Sequence, residues 1–483
     1  MIKQSKTVAV LGAGVAGLTT AKTLKQYGFE VTVYESRPEL GGVWANNYKS
    51  LRVLEPSCVY GFPDWPWPKD ASLFPDAGEV RNYLAGYAKN FGVLECIEFN
   101  TKVVSANPQD DGKWVIETVS NQQSRVGTFD FFIMAPGMFN HPKLPQWSGV
   151  EKFDGEVIHT SQFRDSSQVK GKNVAVVGFS RSAMDVSVDA VSDAKAVSII
   201  HRSVRWPVPE KILGLIRNHV LLFARWPTIF APPWIRSGRK VGILHHKVGF
   251  LVDLFWKFFE VLLGAQFKLK SRKVMPDRPI KLDLFTNLYI TPRKFFSMMD
   301  QSKIRSVRSE IDRFDASGIH LSNGQYLAAE TVICGTGWQH DYSFLPNSLL
   351  NKIYDEDGMH LYRHMVHPAM PGFAFVGGVQ GINSATCYAI QATWVARWLT
   401  NQVSWPEAEA QLQEIETLRK WNESVVTQRP NRAQILNLHQ LPYLDELMDD
   451  MGLKKQRKMP IAEQFAPYRS VDYKSVTATT RPR

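Results

Sequence analysis

The apolar positions of this 483-residue chain fall into short unbroken runs closed by glycine-rich turns. Residues 7–11 (TVAVL) read as a buried strand, residues 15–27 as a helix and residues 30–34 (EVTVY) as a second strand, which makes a βαβ unit. The pattern restarts at residues 174–177 (VAVV) and 197–201 (VSIIH). Further strands are expected at 130–135, 331–334 and 373–376, and the last two are assigned to the first unit. Proline and tryptophan crowd residues 55–68 (EPSCVYGFPDWPWP), which predicts a rigid aromatic loop over a site rather than regular structure. Residues 206–305 mix aromatic and basic residues and resemble neither unit. Within them, residues 247–268 have helical spacing, with Asp253, Lys257 and Glu260 on one stripe and Phe or Leu elsewhere. After about residue 470 the tail reads as frayed.

Composition narrows the classes. A hydrophobic share of 44% and an aromatic share of 12% describe a folded protein long enough for two or three domains. The cysteines, Cys58, Cys96, Cys334 and Cys387, form no CxxC pair, which argues against a disulfide scaffold, a zinc cluster or a redox dithiol. The opening MIKQSKTVAVLGAG has no apolar signal core, so a cytoplasmic protein is expected. Formal charge is +11, yet residues 201–305 alone hold 20 Lys+Arg against 6 Asp+Glu. No nucleic-acid motif accompanies that surplus, which leaves a phosphorylated cofactor or a peripheral contact with an anionic membrane. The helical stripe fits either that contact or a helix packed over the substrate entrance, and the packed arrangement is favoured. Its apolar runs are too interrupted to span a bilayer. The oligomeric state is open, and a homo-oligomer is compatible with the sequence.

Two turns carry the chemistry. In GAGVAG, Gly12 permits a tight turn, Gly14 lets the backbone approach a pyrophosphate and Gly17 lets the helix pack on the sheet. Glu35, at the end of the next strand, can take ribose hydroxyls, and LGGVW adds Gly42 and Trp44. The second turn, GFSRSA, keeps Gly178 but has Ser180 and Ala183 in place of two glycines; Ser180 and Ser182 can donate to phosphate oxygens. Its following strand ends in Arg202, where an NAD site would hold an acid, so NADPH is expected over NADH. Arg205 is open to assisting there or to a plain surface role. The fold class is therefore α/β: two Rossmann-like dinucleotide-binding domains, the NADP domain (169–305) inserted in the FAD domain (1–168 and 306–483).

Between the turns lies FDGEVIHTSQF, residues 153–163, of the form FxGxxxHxxxF. It resembles the fingerprint of flavin-containing monooxygenases, a branch of the class B flavoprotein monooxygenases. LGGVW, FPDWPWP, CGTGW and AIQATWVARWL match the family in the same order, so the resemblance covers nearly the whole chain. It implies FAD served by Gly12, Gly14, Gly17, Glu35, Gly42, Trp44 and Gln391, and NADP served by Gly178, Ser180, Ser182 and Arg202. It further implies that NADPH reduces FAD, that O2 adds to form a C4a-hydroperoxyflavin, and that a nitrogen or sulfur nucleophile of a small organic substrate takes the distal oxygen. Related Baeyer-Villiger enzymes carry Trp-Pro where this chain has Phe163 and Arg164; ketone oxygenation and an uncoupled NADPH oxidase are the alternatives. Many family members have an asparagine at the position of Leu54, so oxygen stabilisation falls to bound NADP and the backbone, or to Glu55. His159 either shapes the cleft or links the domains structurally. His360, His364 and His367 sit beside Pro368 in a presumed loop, and no metal site is expected.

Overall fold

The computed structural model describes residues 5–45, 47–236, 245, 247–283, 290–292, 294–426 and 431–478. Part of the basic segment, residues 237–244, 246, 284–289 and 293, therefore lies outside the described residues. Two five-stranded parallel sheets dominate. The first runs Phe373–Phe375, Phe131–Met134, Thr7–Leu11, Glu30–Tyr34, Ile97–Glu98, with Val8 opposite both Val31 and Phe131. The second runs Glu156–His159, Thr331–Cys334, Asn173–Val177, Ala196–His201, Ile304–Arg308. Central strands covered on both faces have no solvent side, which is why their sequences are continuous apolar runs rather than alternating ones.

The two sheets share one wiring. In each, the strand that leads into the glycine turn is central, the next two step outward on one side, and a three-stranded antiparallel excursion precedes the strand that returns on the other side. The excursions comprise Lys102–Pro108, Trp114–Ser120 and Gln123–Phe129 in one unit, and Ile311–Asp315, Gly318–Leu321 and Tyr326–Ala328 in the other. The difference lies in the fifth strand. Phe373–Phe375 arrives from the C-terminal side, whereas Glu156–His159 precedes its own sheet.

That topology corrects two expectations. Thr331–Cys334 does not join the first sheet: Val174 through Val177 pair with Thr331 through Cys334 in register. The second sheet thus draws strands from 156 to 334, beyond the expected 169–305 on both sides, because strand pairing rather than motif position decides membership. Through residue 478 the tail is likewise packed rather than frayed. Tyr473 and Val476 are buried, and Lys22 Nζ donates to the Thr477 carbonyl at 3.4 Å.

The aromatic loop also differs in part. Trp67 stacks on Tyr83 at 4.1 Å and Phe62 lies 4.1 Å from Tyr87, both on the helix Ala77–Asn90, so much of this segment is core rather than cover. Asp76 and Glu79 close that helix's N-terminus with a reciprocal capping box. The helix Ser384–Leu399, rich in alanine and mostly buried, packs on the first-turn helix Val15–Gln26; small side chains permit the close approach.

Candidate functional site

Both glycine turns stand at the C-terminal ends of their parallel strands, where an open α/β sheet presents its ligand crevice. Gly12 has φ +99°, and a Cβ there would lie 2.6 Å from the Ala135 carbonyl oxygen. Gly178 repeats this: φ +116°, with a Cβ 2.5 Å from the Gly335 carbonyl oxygen. In each unit the turn is pressed against the end of the neighbouring strand, so only glycine fits. A Cβ on Gly17 would sit 1.7 Å from the Gly12 oxygen. The second turn lacks that glycine and moves it to the partner: Ala183 packs on Gly335, where any Cβ would meet it at 2.6 Å. Gly335, in CGTGW, is a turn residue the sequence did not reveal, because the pair is remote along the chain.

Gly14 and Gly42 are different. A Cβ on Gly14 would meet little beyond the Gly42 Cα at 3.6 Å, an ordinary contact, and Gly14 has no positive φ. Two bare backbones therefore face each other at the helix start, a cradle that side chains would fill and whose free N–H groups suit phosphate oxygens. Glu35 is buried; its Oε2 accepts from the Ala13 N–H at 2.8 Å and its Oε1 from the Arg37 N–H at 2.9 Å, fixing the turn while lone pairs remain for ribose hydroxyls. Trp44 donates from its indole to the Tyr60 hydroxyl at 2.9 Å. Gln391 is fully buried, with Oε1 on the Gly377 N–H at 3.0 Å and Nε2 on the Tyr443 hydroxyl at 2.8 Å. Both ends of its amide are thus committed to protein partners, the Gly377 backbone and Tyr443.

On the second turn, Ser180 begins the helix Arg181–Ala190 without a side-chain cap bond, and its Oγ lies 3.4 Å from that of Ser182. Arg202 follows the strand Ala196–His201 and projects into solvent, 78% exposed, with Glu310 as a loose partner at 3.7 Å. An exposed pair at that distance holds the guanidinium weakly, leaving it available to an anion. Arg205 goes the other way: it pairs with buried Asp283 at 3.1 Å, and the same carboxylate accepts the Trp206 N–H at 2.8 Å. Its role is structural. His201, at the end of the strand Ala196–His201, has its ring tilted 4.5 Å from that of Phe179, and burial beside Arg308 pushes its imidazole down to about 4.

The segment linking the turns is built into the second sheet. His159 Nδ1 accepts the Ser161 N–H at 3.2 Å, so Nε2 carries the proton and donates to the Gly337 carbonyl at 3.0 Å. Burial lowers its pKa, and the neutral ring, edge-on to Trp338 at 4.9 Å, ties FxGxxxHxxxF to CGTGW. It is a positioning residue. Phe163 is fully buried in the second core, and Arg164 turns into a cavity of about 290 Å³ that Arg37, Asn47, Gln162 and Trp338 also line. Two guanidiniums and the Glu39 carboxylate thus line one cavity; Arg164 is lowered by burial and by Arg37. Arg37 was not singled out from sequence, and Arg164 only as the ending of the motif, since nothing local marks an arginine that folding brings opposite another.

The units are latched where residues 48–50 meet the second turn's helix. Tyr48 donates to Asp185 at 3.1 Å, Ser50 bonds Asp189, and the Lys49 N–H donates to the Arg164 carbonyl at 2.9 Å. Asp185 also holds Arg181 at 2.7 Å. The chain then runs to Leu54, partly exposed, and Glu55. Glu55 keeps some exposed surface yet is enclosed by protein, and this desolvation raises its carboxyl to about 7 despite Arg181 and the backbone amides of Leu54 and Glu55. Its field also helps raise the hydroxyls of Tyr60 and Tyr388. Glu55 is thus within electrostatic reach of Tyr60 and Tyr388 of one unit and of Arg181 of the other. His360, His364 and His367 lie in a turn with Arg363 and His364 at positive φ, and His360 bonds Asp355 at 2.9 Å.

Two equally wired sheets, each with a glycine turn at the C-terminal end of its central strand, make a pair of dinucleotide-binding α/β units. The chain belongs to the flavin-binding monooxygenase-like family, whose model matches residues 5–229 and 299–462. It is therefore a flavin-dependent monooxygenase. It is 27% identical to the probable flavin-containing monooxygenase 1 of Arabidopsis thaliana, over 97% of this chain and 96% of that one. Among solved structures it is similar to the S-allyl-L-cysteine S-oxygenase from Allium sativum (TM-score 0.65, 20% identity, covering 93% and 89% of the two chains). It is also similar to OTEMO in complex with FAD and NADP (TM-score 0.67, 18% identity, covering 90% and 93%). Among the described residues no helix is long and apolar enough to cross a membrane.

Proposed function

We propose that this protein uses NADPH and O2 to oxygenate a nitrogen or sulfur nucleophile of a small organic substrate, with FAD on the Gly12 turn and NADPH on the Gly178 turn. The observation that carries this is the duplicated crevice: two glycine turns of matching geometry, joined by the strand Glu156–His159. Bound FAD would supply the electron transfer and oxygen activation, chemistry that amino-acid side chains lack.

The chain's own residues bind, orient and control protons. Gly14 and Gly42 would give backbone approach to a pyrophosphate, Gly12 and Gly17 hold the turn that presents it, Glu35 and Trp44 belong to the same unit, and Gln391 fixes the Gly377 backbone. Gly178, Ser180 and Ser182 offer a second phosphate contact, and exposed Arg202 suits the 2′-phosphate that distinguishes NADPH. His159 neither takes nor supplies a proton, because Nε2–H is committed to Gly337 and Nδ1 to Ser161. Glu55 is the proton-holding group of the cleft near neutral pH. Leu54 adds apolar surface beside it and excludes water rather than bonding oxygen. The ending Phe163–Arg164 supports heteroatom over ketone oxygenation.

The test is coupling stoichiometry. Purified FAD-loaded protein, given NADPH and air, is challenged with a panel of thioethers, tertiary amines and cyclic ketones. Product matching NADPH consumed for a thioether or amine supports the reading. Ester formation from ketones alone would assign the chain to the Baeyer-Villiger reaction, and peroxide equal to NADPH throughout would make it an oxidase.

A further inference from the structure

The helix Gly249–Gln266 is apolar on two opposite faces. Val252, Trp256 and Leu263 point inward, and Trp256 Nε1 donates to the Phe230 carbonyl at 2.9 Å, so one face is packed as expected from sequence. At 100° per residue, Phe250, Leu251, Leu254, Phe258 and Val261 form a second stripe turned away from it. These five are 44% to 70% exposed. A hairpin tip adjoins the helix's C-terminal end, where Gln266 bonds the Leu213 N–H and the Lys211 carbonyl at 3.1 and 2.9 Å. Its Leu213, Leu215 and Ile216 are 51% to 81% exposed. Packing over a substrate entrance explains the inward face and leaves the outward one unexplained.

Charge says what would cover it. Exposed Lys257 flanks the stripe, exposed Lys247 precedes the helix, exposed Lys268 and Lys270 follow it, and Lys211 and Arg217 bracket the hairpin tip. The nearby acids are engaged: Asp253 pairs with Lys281 at 2.8 Å, and Glu260 accepts the Ile280 N–H at 2.8 Å. The family match also omits this helix, falling on residues 5–229 and 299–462. A second copy is a poor occupant, because a two-fold contact sets the same patch, and hence the same cations, against itself. A surface that is apolar at its centre and anionic around it is the interface of a bilayer with acidic headgroups.

We propose that the outward face of Gly249–Gln266, with the tip Leu213–Ile216, docks the protein in-plane on an anionic lipid surface. The inference does not depend on the reaction assigned above. FAD-loaded full-length protein is sedimented with phosphatidylcholine vesicles with and without phosphatidylglycerol, at low and high salt. Binding to the anionic vesicles alone, weakened by salt, is expected. Leu254→Ser with Phe258→Ser removes exposed apolar area without touching the core and should abolish it, and Lys257→Gln with Lys268→Gln should weaken it by more than about tenfold. Retained FAD absorbance shows that each variant is folded. Equal binding to neutral vesicles, no binding, or binding unchanged in both variants overturns the proposal. So does a wild-type dimer that the apolar variant converts to monomer without any vesicle binding.

Discussion

Glu55 offers the most direct physical test of the cleft. Its carboxyl is raised from 4.5 to about 7, mainly by burial, with Arg181 pulling the other way. The folded protein therefore holds the Glu55 proton more tightly than the unfolded chain does. The resulting stability is fully present below the unfolded value and is lost as pH rises through about 7. The full shift corresponds to on the order of 3 kcal/mol. Glu55→Gln keeps the shape and removes the titration, so its unfolding free energy should gain on the wild type as pH rises from about 5 to about 8. Urea denaturation of both proteins across that range measures the difference. Infrared spectroscopy reads the group itself: the wild type should show a carboxylic C=O band that titrates near neutrality and is missing from Glu55→Gln. A stability difference flat with pH, together with no such band at mildly acidic pH, would refute the account of a desolvated carboxyl.

Four other substitutions separate roles that look alike in the sequence. Arg202→Ala should weaken NADPH by about 10- to 100-fold while leaving NADH nearly unchanged, as measured by flavin reduction rates, since a hydrogen-bonded charge pair contributes about 1.5–3 kcal/mol. Its stability should barely move, because the Glu310 pair is exposed. Arg205→Ala should show the reverse, costing about 1–3 kcal/mol of stability by stripping a partner from buried Asp283, with the NADPH-to-NADH ratio intact in the same assay. Gly17→Ala should fail to fold, because its Cβ would overlap the Gly12 oxygen at 1.7 Å. Gly14→Ala, whose Cβ meets only an ordinary 3.6 Å contact, should fold with a normal circular dichroism spectrum yet lose FAD on dialysis.

The contrast between Gly14 and Gly17 shows how far one-dimensional reading reaches. Both stand in GAGVAG, and the spacing assigns them roles through the turn's geometry, but only the neighbouring strand reveals which one the fold itself cannot replace. Arg202 and Arg205 make the same point for charge. They sit three residues apart in HRSVRW, and their separation into an exposed, loosely held guanidinium and one paired with a buried carboxylate depends on Asp283, far along the chain. The helix at 247–268 was legible from its spacing, yet spacing cannot say that one apolar face is buried and the other bare.

What the sequence determined by itself is what local chemistry enforces: the glycine turns, whose backbone conformations few other residues adopt; the apolar runs of strands covered on both faces; and the family that their order identifies. Tertiary structure decided the partnerships. Hydrogen-bond register put Thr331–Cys334 and Glu156–His159 into one sheet, packing moved the missing third glycine of the second turn to Gly335, and enclosure by two units raised Glu55. Sheet membership, close packing and desolvation are set by which distant residues meet, and no short window of the chain records that.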